Sequence, residues 1–232
     1  MARAPGAACT FSRIRGRIHN LTFHGVGPMS RAVEPEEEAV WLEAHDFSSV
    51  LDAIAGNPSV RLTFDDGNYS DVEFALGELT RRGLQATFFV VAGRIGAPGF
   101  LSKTDLLQLV DAGMNVGSHG YRHRSWRQTT DDELAEELVT ARDAIADATG
   151  RPVTEAACPF GAYDARVLRA LRLAGYSRVF TSDGGAARPD SWLQPRTTLS
   201  RGSNASSVAR ILRERSGADA VRFAKRFVKA HR

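Results

Sequence analysis

The stretch LTFDDG, residues 62–67, determines how the rest of this chain can fold. It closes an apolar run from Val60 to Phe64 that is broken only by Arg61 and is typical of a buried strand. The run stops at two adjacent carboxylates and a glycine. Successive strand residues point to opposite sides, but the chain begins to turn at a strand end, so both acids can face one cleft. A plain surface turn is the competing interpretation, since Asp and Gly are common in turns.

A second polar group, His119 and His123, follows the short apolar stretch 114–117 and is flanked by glycines. Imidazole nitrogens and carboxylate oxygens are ligands that zinc and similar divalent ions accept. One aspartate and two histidines from later strand ends would make a three-ligand site with room for a water and a substrate oxygen. Two histidines at this spacing are also frequent on surfaces, so a structural role stays open.

Strand patterns and helix patterns alternate along the chain. The predicted strands are 21–26, 60–64, 86–91, 114–117, 153–158, 178–181 and 197–199, and the predicted helices are 47–54, 71–82, 102–113, 130–149 and 164–174. Asp71 is expected to cap the second of these helices, and a capping box at 130–133 opens the fourth. The alternation predicts a parallel α/β architecture.

In combination, these motifs resemble the polysaccharide deacetylases, the NodB-like carbohydrate esterases. TFDDG at 63–67 and HGYRH at 119–123 are similar to the first two motifs of that family, and PFG at 159–161 is similar to the third. The resemblance runs from about residue 21 to residue 199. It implies a distorted parallel (β/α) barrel in a single domain, a divalent metal, and hydrolysis of an acetyl group from a sugar.

Matched residue by residue, the resemblance assigns roles to five positions. It implies that Asp66, His119 and His123 hold the metal, for which zinc is the expected ion. Asp65 would take a proton from the attacking water as general base, and the metal would polarise the acetyl carbonyl. A backbone N–H near Phe160 would help to hold the resulting oxyanion.

His24 follows the first predicted strand, and one subgroup of the family implies a role for it. Most members carry a late Leu-x-His motif whose histidine acts as general acid, but this chain has no histidine between His123 and His231. The deacetylases of biofilm poly-N-acetylglucosamine resemble a circularly permuted version, with that histidine on the opening strand. Residues 21–24 look like this arrangement, so His24 would protonate the leaving amine. A hydrogen-bonded strand-end histidine is the alternative.

Three departures from the family pattern affect these roles. Gly120 stands where a Ser or Thr hydroxyl usually braces the loop. Ala157 stands where an arginine usually orients the base, and Arg196 is predicted to replace that arginine from a neighbouring strand end. The late Asp-x-x-Asp-Trp pattern is absent, and Asp183 and Trp192 are its loose counterparts. The predicted substrate-binding residues are Pro159, Phe160, Gly161, Asp183, Trp192 and Arg196.

The leading prediction is therefore a metal-dependent hydrolase that removes N-acetyl groups from a glycan or glycan precursor. The alternatives are a deacetylase of O-acetyl esters or small glycoconjugates, and an inactive sugar-binding domain. Gly120 and Ala157 favour the inactive domain. Retention of Asp65 and Asp66 opposes it, because an unused pair of acids in a cleft is destabilising.

The positive charge of the chain is concentrated at its end. The 232 residues carry a net charge of +3, but nine basic and two acidic residues from Arg201 onward give that segment +7 and leave the rest at −4. The basic pI is therefore no argument that the domain binds nucleic acid. Residues 218–232 predict a basic amphipathic helix that covers the barrel, with contact to an anionic membrane as the alternative.

The expected organisation is a mobile segment 1–20, a catalytic domain 21–200 and a basic helical segment 201–232 packed on that domain. No signal peptide and no apolar run of the length that a membrane helix needs is recognised in the sequence. A cytoplasmic location is expected on that basis.

Overall fold

The computed structural model describes residues 16–213 and 228–229. The strands in this part of the chain are β1 His19–Phe23, β2 Gly25–Val26, β3 Trp41–Leu42, β4 Val60–Asp66, β5 Ala86–Val90, β6 Asn115–Ser118, β7 Glu155–Ala157, β8 Arg178–Thr181 and β9 Leu193–Thr198. All except β2 and β3 form a closed barrel in which the neighbouring strands run parallel. The predicted distorted (β/α) barrel is confirmed.

Helices connect the strands, as the alternating pattern predicts. The α-helices of the described part are α1 Pro35–Glu38, α2 Ala44–Ile54, α3 Leu76–Arg81, α4 Lys103–Asp111, α5 Asp131–Ala135, α6 Ala141–Thr149, α7 Ala165–Leu173 and α8 Ala205–Arg213. A π-helical turn, Glu136–Thr140, joins α5 to α6, so the predicted helix 130–149 is continuous but locally widened. The capping box that opens it is present, with Thr130 and Glu133 bonded reciprocally.

The first strand and the last strand differ from the prediction. The run 21–26 is divided at His24, because β1 ends there and β2 pairs with β3 in a separate two-stranded sheet. β9 begins at Leu193, four residues earlier than predicted, and it contains Pro195. Proline lacks the N–H that a central strand donates and is therefore uncommon within such a strand. Here the Pro195 carbonyl still accepts a hydrogen bond of 2.9 Å from the Asn20 side chain in β1.

Asp71 does not cap a helix, so that prediction is wrong. Its side chain is fully buried, and neither carboxylate oxygen has a hydrogen-bond partner among the described residues. The turn Asp71–Ala75 is π-helical and runs directly into α3. Burial, reinforced by the negative charges of Asp66 and Asp65, raises the pKa of Asp71 well above its ordinary value.

Apolar side chains pack on both sides of the barrel wall. Outside it, the Phe64 ring stacks on Phe23 and on Phe88, with centroids 4.9 and 4.6 Å apart. Phe89, the next residue along β5, belongs instead to a small separate cluster with Phe180, because successive strand residues point to opposite sides. The cluster inside the barrel is small, which leaves space there for polar side chains.

The two terminal segments are only partly described. β1 begins at His19, inside the segment 1–20 that the sequence assigns to a tail. The described part of the C-terminal segment includes α8, which packs against α2. The predicted helix 218–232 lies outside the described residues, apart from 228–229. Among the described helices, none combines the length and the apolar character needed to cross a membrane.

Candidate active site

Ionisable side chains meet at the carboxyl-terminal ends of the barrel strands, the upper end of the barrel. Asp65 and Asp66 are the last residues of β4, while His24 follows β1 and His119 follows β6. Asp66 adopts a left-handed backbone conformation with a φ of 76°, which aspartate tolerates better than most residues. This turn lets both acids face one cleft: the His119 Nε2 lies 3.7 Å from Asp65 Oδ2 and 3.8 Å from Asp66 Oδ1.

Asp66, His119 and His123 form a group whose donor atoms all lie within 4.8 Å of one another. The His123 Nε2 is 3.2 Å from Asp66 Oδ1. That carboxylate oxygen is buried and accepts no hydrogen bond from the described residues, which is rare for a buried polar atom. Two imidazole nitrogens and a carboxylate around one unsatisfied position suit a divalent cation. These residues therefore fit the metal that the resemblance implies.

The two histidines are prepared for metal ligation in different ways, since a ligating imidazole must offer a free lone pair. The His119 Nδ1 lies 2.9 Å from the Ala157 carbonyl oxygen. Because a carbonyl only accepts, Nδ1 carries the proton and Nε2 presents its lone pair to the cleft. Burial, followed by the proximity of His119, lowers the pKa of His123 to about 4.

Arg196 reaches from the middle of β9 to Asp65 and binds both carboxylate oxygens, at 2.6 and 2.7 Å. The Arg196 side chain is fully buried, and that of Asp65 is 3% exposed. Burial alone would raise the pKa of Asp65. The positive charge of Arg196 outweighs this effect, with help from His119, and holds the pKa of Asp65 well below its ordinary value.

Ala157 explains why Arg196 has room inside the barrel. Ala157 packs with Phe89 and Phe180, and the Arg196 guanidinium carbon lies 5.3 and 6.0 Å from the centroids of the same two rings. An arginine at position 157 would compete for this space. The missing motif arginine and Arg196 are thus two alternative ways to bring a guanidinium to Asp65.

The structure brings His24 to the same cleft. Its Nε2 lies 3.9 Å from Asp65 Oδ2, and its side chain is 21% exposed. The His24 Nδ1 is buried without a hydrogen-bond partner among the described residues. The backbone is fixed through the His24 carbonyl, which accepts a hydrogen bond of 2.6 Å from the Asn68 side chain. The histidine is therefore not the fully hydrogen-bonded strand-end residue of the alternative interpretation.

The loop Pro159–Gly161 forms one side of the cleft. Phe160 has a left-handed backbone with a φ of 57°, and its side chain is 70% exposed. The Phe160 ring centroid is 4.6 Å from that of His123. Pro159 and Gly161 are buried beneath it. An exposed aromatic ring beside the candidate metal ligands is a suitable surface for a sugar ring.

Asp183 and Trp192 lie in different places. Asp183, after β8, accepts hydrogen bonds of 2.7 Å from Tyr163 and Thr181 and pairs with Lys229 at 3.0 Å. It thus fixes the loop beside Gly161, whose carbonyl also accepts from Lys229. Trp192 precedes β9 and lies at the lower end of the barrel, where its indole N–H donates to the Tyr176 carbonyl at 2.9 Å. The structure does not bring Trp192 to the cleft.

Glu137 holds the loop that carries the histidines, and the sequence analysis missed it. The Glu137 side chain is buried, and its carboxylate accepts hydrogen bonds of 2.9 Å from the backbone N–H groups of Tyr121 and Arg122. The indole N–H of Trp126 donates to the same carboxylate at 3.3 Å. Three donors from the loop thus converge on one acid. The family resemblance assigns this bracing of the loop to a Ser or Thr hydroxyl at position 120.

Gly120 makes this arrangement possible. A Cβ at Gly120 would lie 2.3 Å from Glu137 Oε2, and its φ of 84° also disfavours other residues. The sequence did contain a signal for this interaction: Glu137 sits between Leu134 and Leu138 on the apolar face of its helix. A charged residue on a buried helix face requires a hydrogen-bonded partner.

Comparisons of this chain with family profiles and with individual proteins agree on one family. A polysaccharide deacetylase profile matches residues 53–179. Over 131 residues the chain is 26% identical to YxkH of Bacillus subtilis strain 168, a protein named as a polysaccharide deacetylase, covering 56% of this chain and 47% of that protein. It is 31% identical over 118 residues to the peptidoglycan-N-acetylglucosamine deacetylase PgdA of Listeria monocytogenes, covering 50% and 24%. The chain therefore spans half or less of the length of these relatives.

Solved structures share the fold. The deacetylase PplD of Streptococcus pyogenes, in complex with acetate, superposes with a TM-score of 0.74 at 18% identity, covering 86% of this chain and 99% of that one. IcaB from Ammonifex degensii superposes with a TM-score of 0.71 at 23% identity, covering 85% and 97%. The profile match extends over more than half of the chain, and the barrel agrees with it. This chain belongs to the polysaccharide deacetylase family.

Proposed function

We propose that this chain is a metal-dependent hydrolase that removes N-acetyl groups from sugars. One observation carries the proposal: Asp65, bound through both oxygens by Arg196, lies beside a complete Asp66, His119 and His123 group. A buried, ionised carboxylate next to a set of metal ligands is an arrangement for activating water. The relative PgdA, named as an N-acetylglucosamine deacetylase, supports the N-acetyl part of the proposal.

Asp66, His119 and His123 would hold the divalent ion, for which the nitrogen and oxygen donors favour zinc. When bound, such an ion supplies a Lewis acid that polarises a carbonyl and makes a water easier to deprotonate. The residues of the chain prepare this position. His119 is fixed in the correct tautomer by Ala157, and the low pKa of His123 keeps its lone pair free at neutral pH.

Asp65 accepts the proton of the attacking water. Arg196 uses one lone pair on each carboxylate oxygen and leaves the others free. Oδ2 is the oxygen that faces the cleft, since His24 and His119 lie 3.9 and 3.7 Å from it. Arg196 therefore orients the base and keeps it ionised without blocking the oxygen that takes the proton.

His24 and Phe160 complete the site. An amine leaves only after it is protonated, so cleavage of an amide needs an acid. The His24 imidazole, whose Nε2 lies 3.9 Å from Asp65 Oδ2, would supply this proton. The backbone N–H of Phe160 would donate to the oxyanion that develops on the acetyl carbonyl. The exposed Phe160 ring would contact the sugar.

The geometry weakens the case for an inactive sugar-binding domain. That alternative rested on Gly120 and Ala157, where the family has a hydroxyl and an arginine. The functions of both missing groups are supplied elsewhere, by Glu137 for the loop and by Arg196 for the base. The O-acetyl ester alternative differs in its need for an acid, because an alcohol leaves more readily than an amine.

The test is acetate release from N-acetylglucosamine oligomers by zinc-loaded protein, beside the variants Asp65→Asn and Asp111→Asn. Asp111, at the exposed end of α4, is a matched control. We expect release that falls by about 10²-fold to 10⁴-fold in Asp65→Asn and is unchanged in Asp111→Asn. The zinc content should be the same in all three proteins.

Each other outcome has a defined meaning. Equal release by Asp65→Asn would remove Asp65 as the base. Stoichiometric zinc without acetate release from amides, but with release from O-acetylated sugars, would establish the ester alternative. Failure to bind zinc together with failure to release acetate would overturn the proposal.

A further inference from the structure

Arg94 is held at the rim of the cleft by the turn Ala92–Arg94, which follows β5. The backbone N–H of Gly93 donates to the Tyr121 carbonyl of the histidine loop at 2.9 Å. A Cβ at Gly93 would lie 2.6 Å from that oxygen, so the glycine lets the turn pack this closely. The backbone therefore fixes where Arg94 sits relative to the metal-binding histidines.

The Arg94 guanidinium faces the cleft with its hydrogen-bond donors free. Its Nη1 is 3.8 Å from Asp66 Oδ1, and the side chain is 34% exposed. The guanidinium carbon lies 4.9 Å from the centroid of the Phe100 ring, which orients it. Across residues 16–213 and 228–229, the Arg94 side chain makes no hydrogen bond, and Asp66 is the one carboxylate within 4 Å.

Neighbouring cations differ from Arg94 because their charges are already paired. Arg31 contacts the same Phe100 ring, but its guanidinium donates to Glu37 and Asn68. Other paired cations at this end of the barrel include Lys229 with Asp183, Arg122 with Glu136 and Arg124 with Glu133. Asp65 is likewise matched by Arg196. Among the described residues at the rim, Arg94 alone depends on Asp66 for its counter-charge.

Asp66 is also a candidate metal ligand, which decides what Arg94 can do. A divalent cation held by Asp66, His119 and His123 would more than neutralise the Asp66 carboxylate. Arg94 would then be an unmatched positive charge with five free donors, arranged in a planar fork that matches carboxylate and phosphate groups. A neutral sugar would leave this partly desolvated charge without compensation.

We infer that Arg94 is a specificity-determining residue that binds an anionic substituent of the sugar substrate, a carboxylate or a phosphate, at the rim of the cleft. The inference rests on the proposed function, because it concerns the substrate of the same site. Arg94 is not assigned to the chemical step. Its contribution is to substrate binding, through charge-assisted hydrogen bonds that only an anionic sugar can accept.

The test compares three trisaccharides of N-acetylglucosamine: the neutral one, one phosphorylated at C6 of a single ring, and one oxidised to a carboxylate at that C6. Acetate release is measured with wild type, Arg94→Gln, Arg94→Lys and Arg124→Gln, all loaded with zinc. Arg124 is a matched control, since it follows His123 and is paired with Glu133. Calorimetric binding of the same trisaccharides to the Asp65→Asn protein provides a second readout.

We expect wild type to prefer at least one anionic trisaccharide over the neutral one, and Arg94→Gln to lose that preference by about 10-fold to 100-fold in kcat/KM. The loss should lie in KM, with activity on the neutral trisaccharide and zinc content unchanged. Arg94→Lys should keep part of the preference, and added salt should reduce it. The phosphate and carboxylate arms show which anion is bound.

Equal activity of wild type on all three trisaccharides, or an equal loss in Arg124→Gln, would overturn the inference. Acetate release from none of them would overturn the proposed function instead. The binding arm still decides on Arg94 in that case: anionic trisaccharides must bind more tightly than the neutral one to Asp65→Asn, and the added change Arg94→Gln must abolish the difference.

Discussion

Two arginine–carboxylate pairs lie inside the barrel, Arg196 with Asp65 at the upper end and Arg178 with Glu155 at the lower end. In the upper pair, both side chains are almost completely buried and two hydrogen bonds join them. In the lower pair, one contact of 2.5 Å joins side chains that are 32% and 16% exposed. The lower pair also lines a cavity of about 1100 Å³ at the amino-terminal ends of the strands.

The two pairs contain the same chemical groups but differ in burial, and burial determines what each pair contributes. A buried pair gives little net stability, because removing two charges from water costs about as much as their attraction returns. A half-exposed pair costs less to form and contributes little. The pair at the upper end is almost completely buried, and it keeps one carboxylate ionised and oriented beside the cleft. The lower pair is partly exposed and lines a cavity at the opposite end of the strands.

Among the substitutions that test the difference between the two pairs, Arg196→Ala should have the largest effect on activity and stability. Removal of the guanidinium leaves Asp65 buried without its partner, and we expect turnover to fall by about 10²-fold to 10⁴-fold. The free energy of unfolding should fall by about 3–5 kcal/mol. Acetate release, zinc content and chemical denaturation measure the three quantities. Zinc should remain bound, because Asp66, His119 and His123 are untouched; loss of zinc would mean that Arg196 acts on the metal ligands instead.

The second largest effect is expected in the pH dependence of kcat/KM for an Arg196→Gln variant. In wild type the pKa of Asp65 is below its ordinary value, so this carboxylate stays ionised. The stability contributed by the pair is present above about pH 4 and is lost as the pH falls through the native pKa. Without the guanidinium, burial dominates and raises the pKa. The acid limb of kcat/KM should move upward by more than about one pH unit.

The control for this profile is the zinc content at each pH, since protonation of the two histidines would also reduce activity at low pH. An acid limb that stays where it is in wild type, with zinc bound throughout, would show that Arg196 does not set the ionisation of Asp65.

Moving the arginine from position 196 to position 157 should restore a smaller part of the turnover. Ala157 borders the space that Arg196 occupies near Phe89 and Phe180. In an Arg196→Ala background, Ala157→Arg should therefore recover about 10-fold of the lost turnover, by returning one charge-assisted contact to Asp65. Ala157→Arg alone should instead reduce stability, because two guanidiniums would share one space. No recovery in the double variant would mean that the direction of approach to Asp65 is essential.

Arg178→Ala should have the smallest effect. The lower pair is partly solvated, and we expect the free energy of unfolding to fall by less than about 1 kcal/mol. Acetate release should stay within about twofold of wild type, because the pair is at the opposite end of the strands from Asp65. Denaturation and activity measured beside Arg196→Ala make the contrast direct. A large loss of activity here would show that the two ends of the barrel are coupled.

The sequence located the cleft because adjacent acids and paired histidines stand at strand ends, and parallel strands end together. Asp65, Asp66, His119 and His123 could be predicted for that reason. Arg196 was predicted only because the motif arginine is missing at Ala157. Its reach from the middle of β9 could not be predicted, since it depends on the register between neighbouring strands and on the space beside a small residue.

Glu137 and Trp192 show where local patterns fail. Glu137 reaches the histidine loop from 15 residues beyond Arg122 along the chain, and helix periodicity does not indicate which loop a buried acid will contact. Trp192 was assigned to the cleft as a loose counterpart of the tryptophan in the family's late Asp-x-x-Asp-Trp pattern, with the last strand expected to begin at residue 197. Once β9 begins at Leu193, Trp192 belongs to the opposite end of the barrel.

The contact between Gly120 and Glu137 also constrains how such a sequence can change over evolutionary time. A serine at position 120 would force the Glu137 carboxylate to move, because its Cβ would lie 2.3 Å from Glu137 Oε2. Loss of Glu137 first would release the backbone of Tyr121 and Arg122. Changing either Gly120 or Glu137 alone is therefore expected to disturb the loop. A sequence that contains both residues should tend to keep both. Compared with the family pattern one position at a time, Gly120 counts as a loss, although Glu137 holds the same loop.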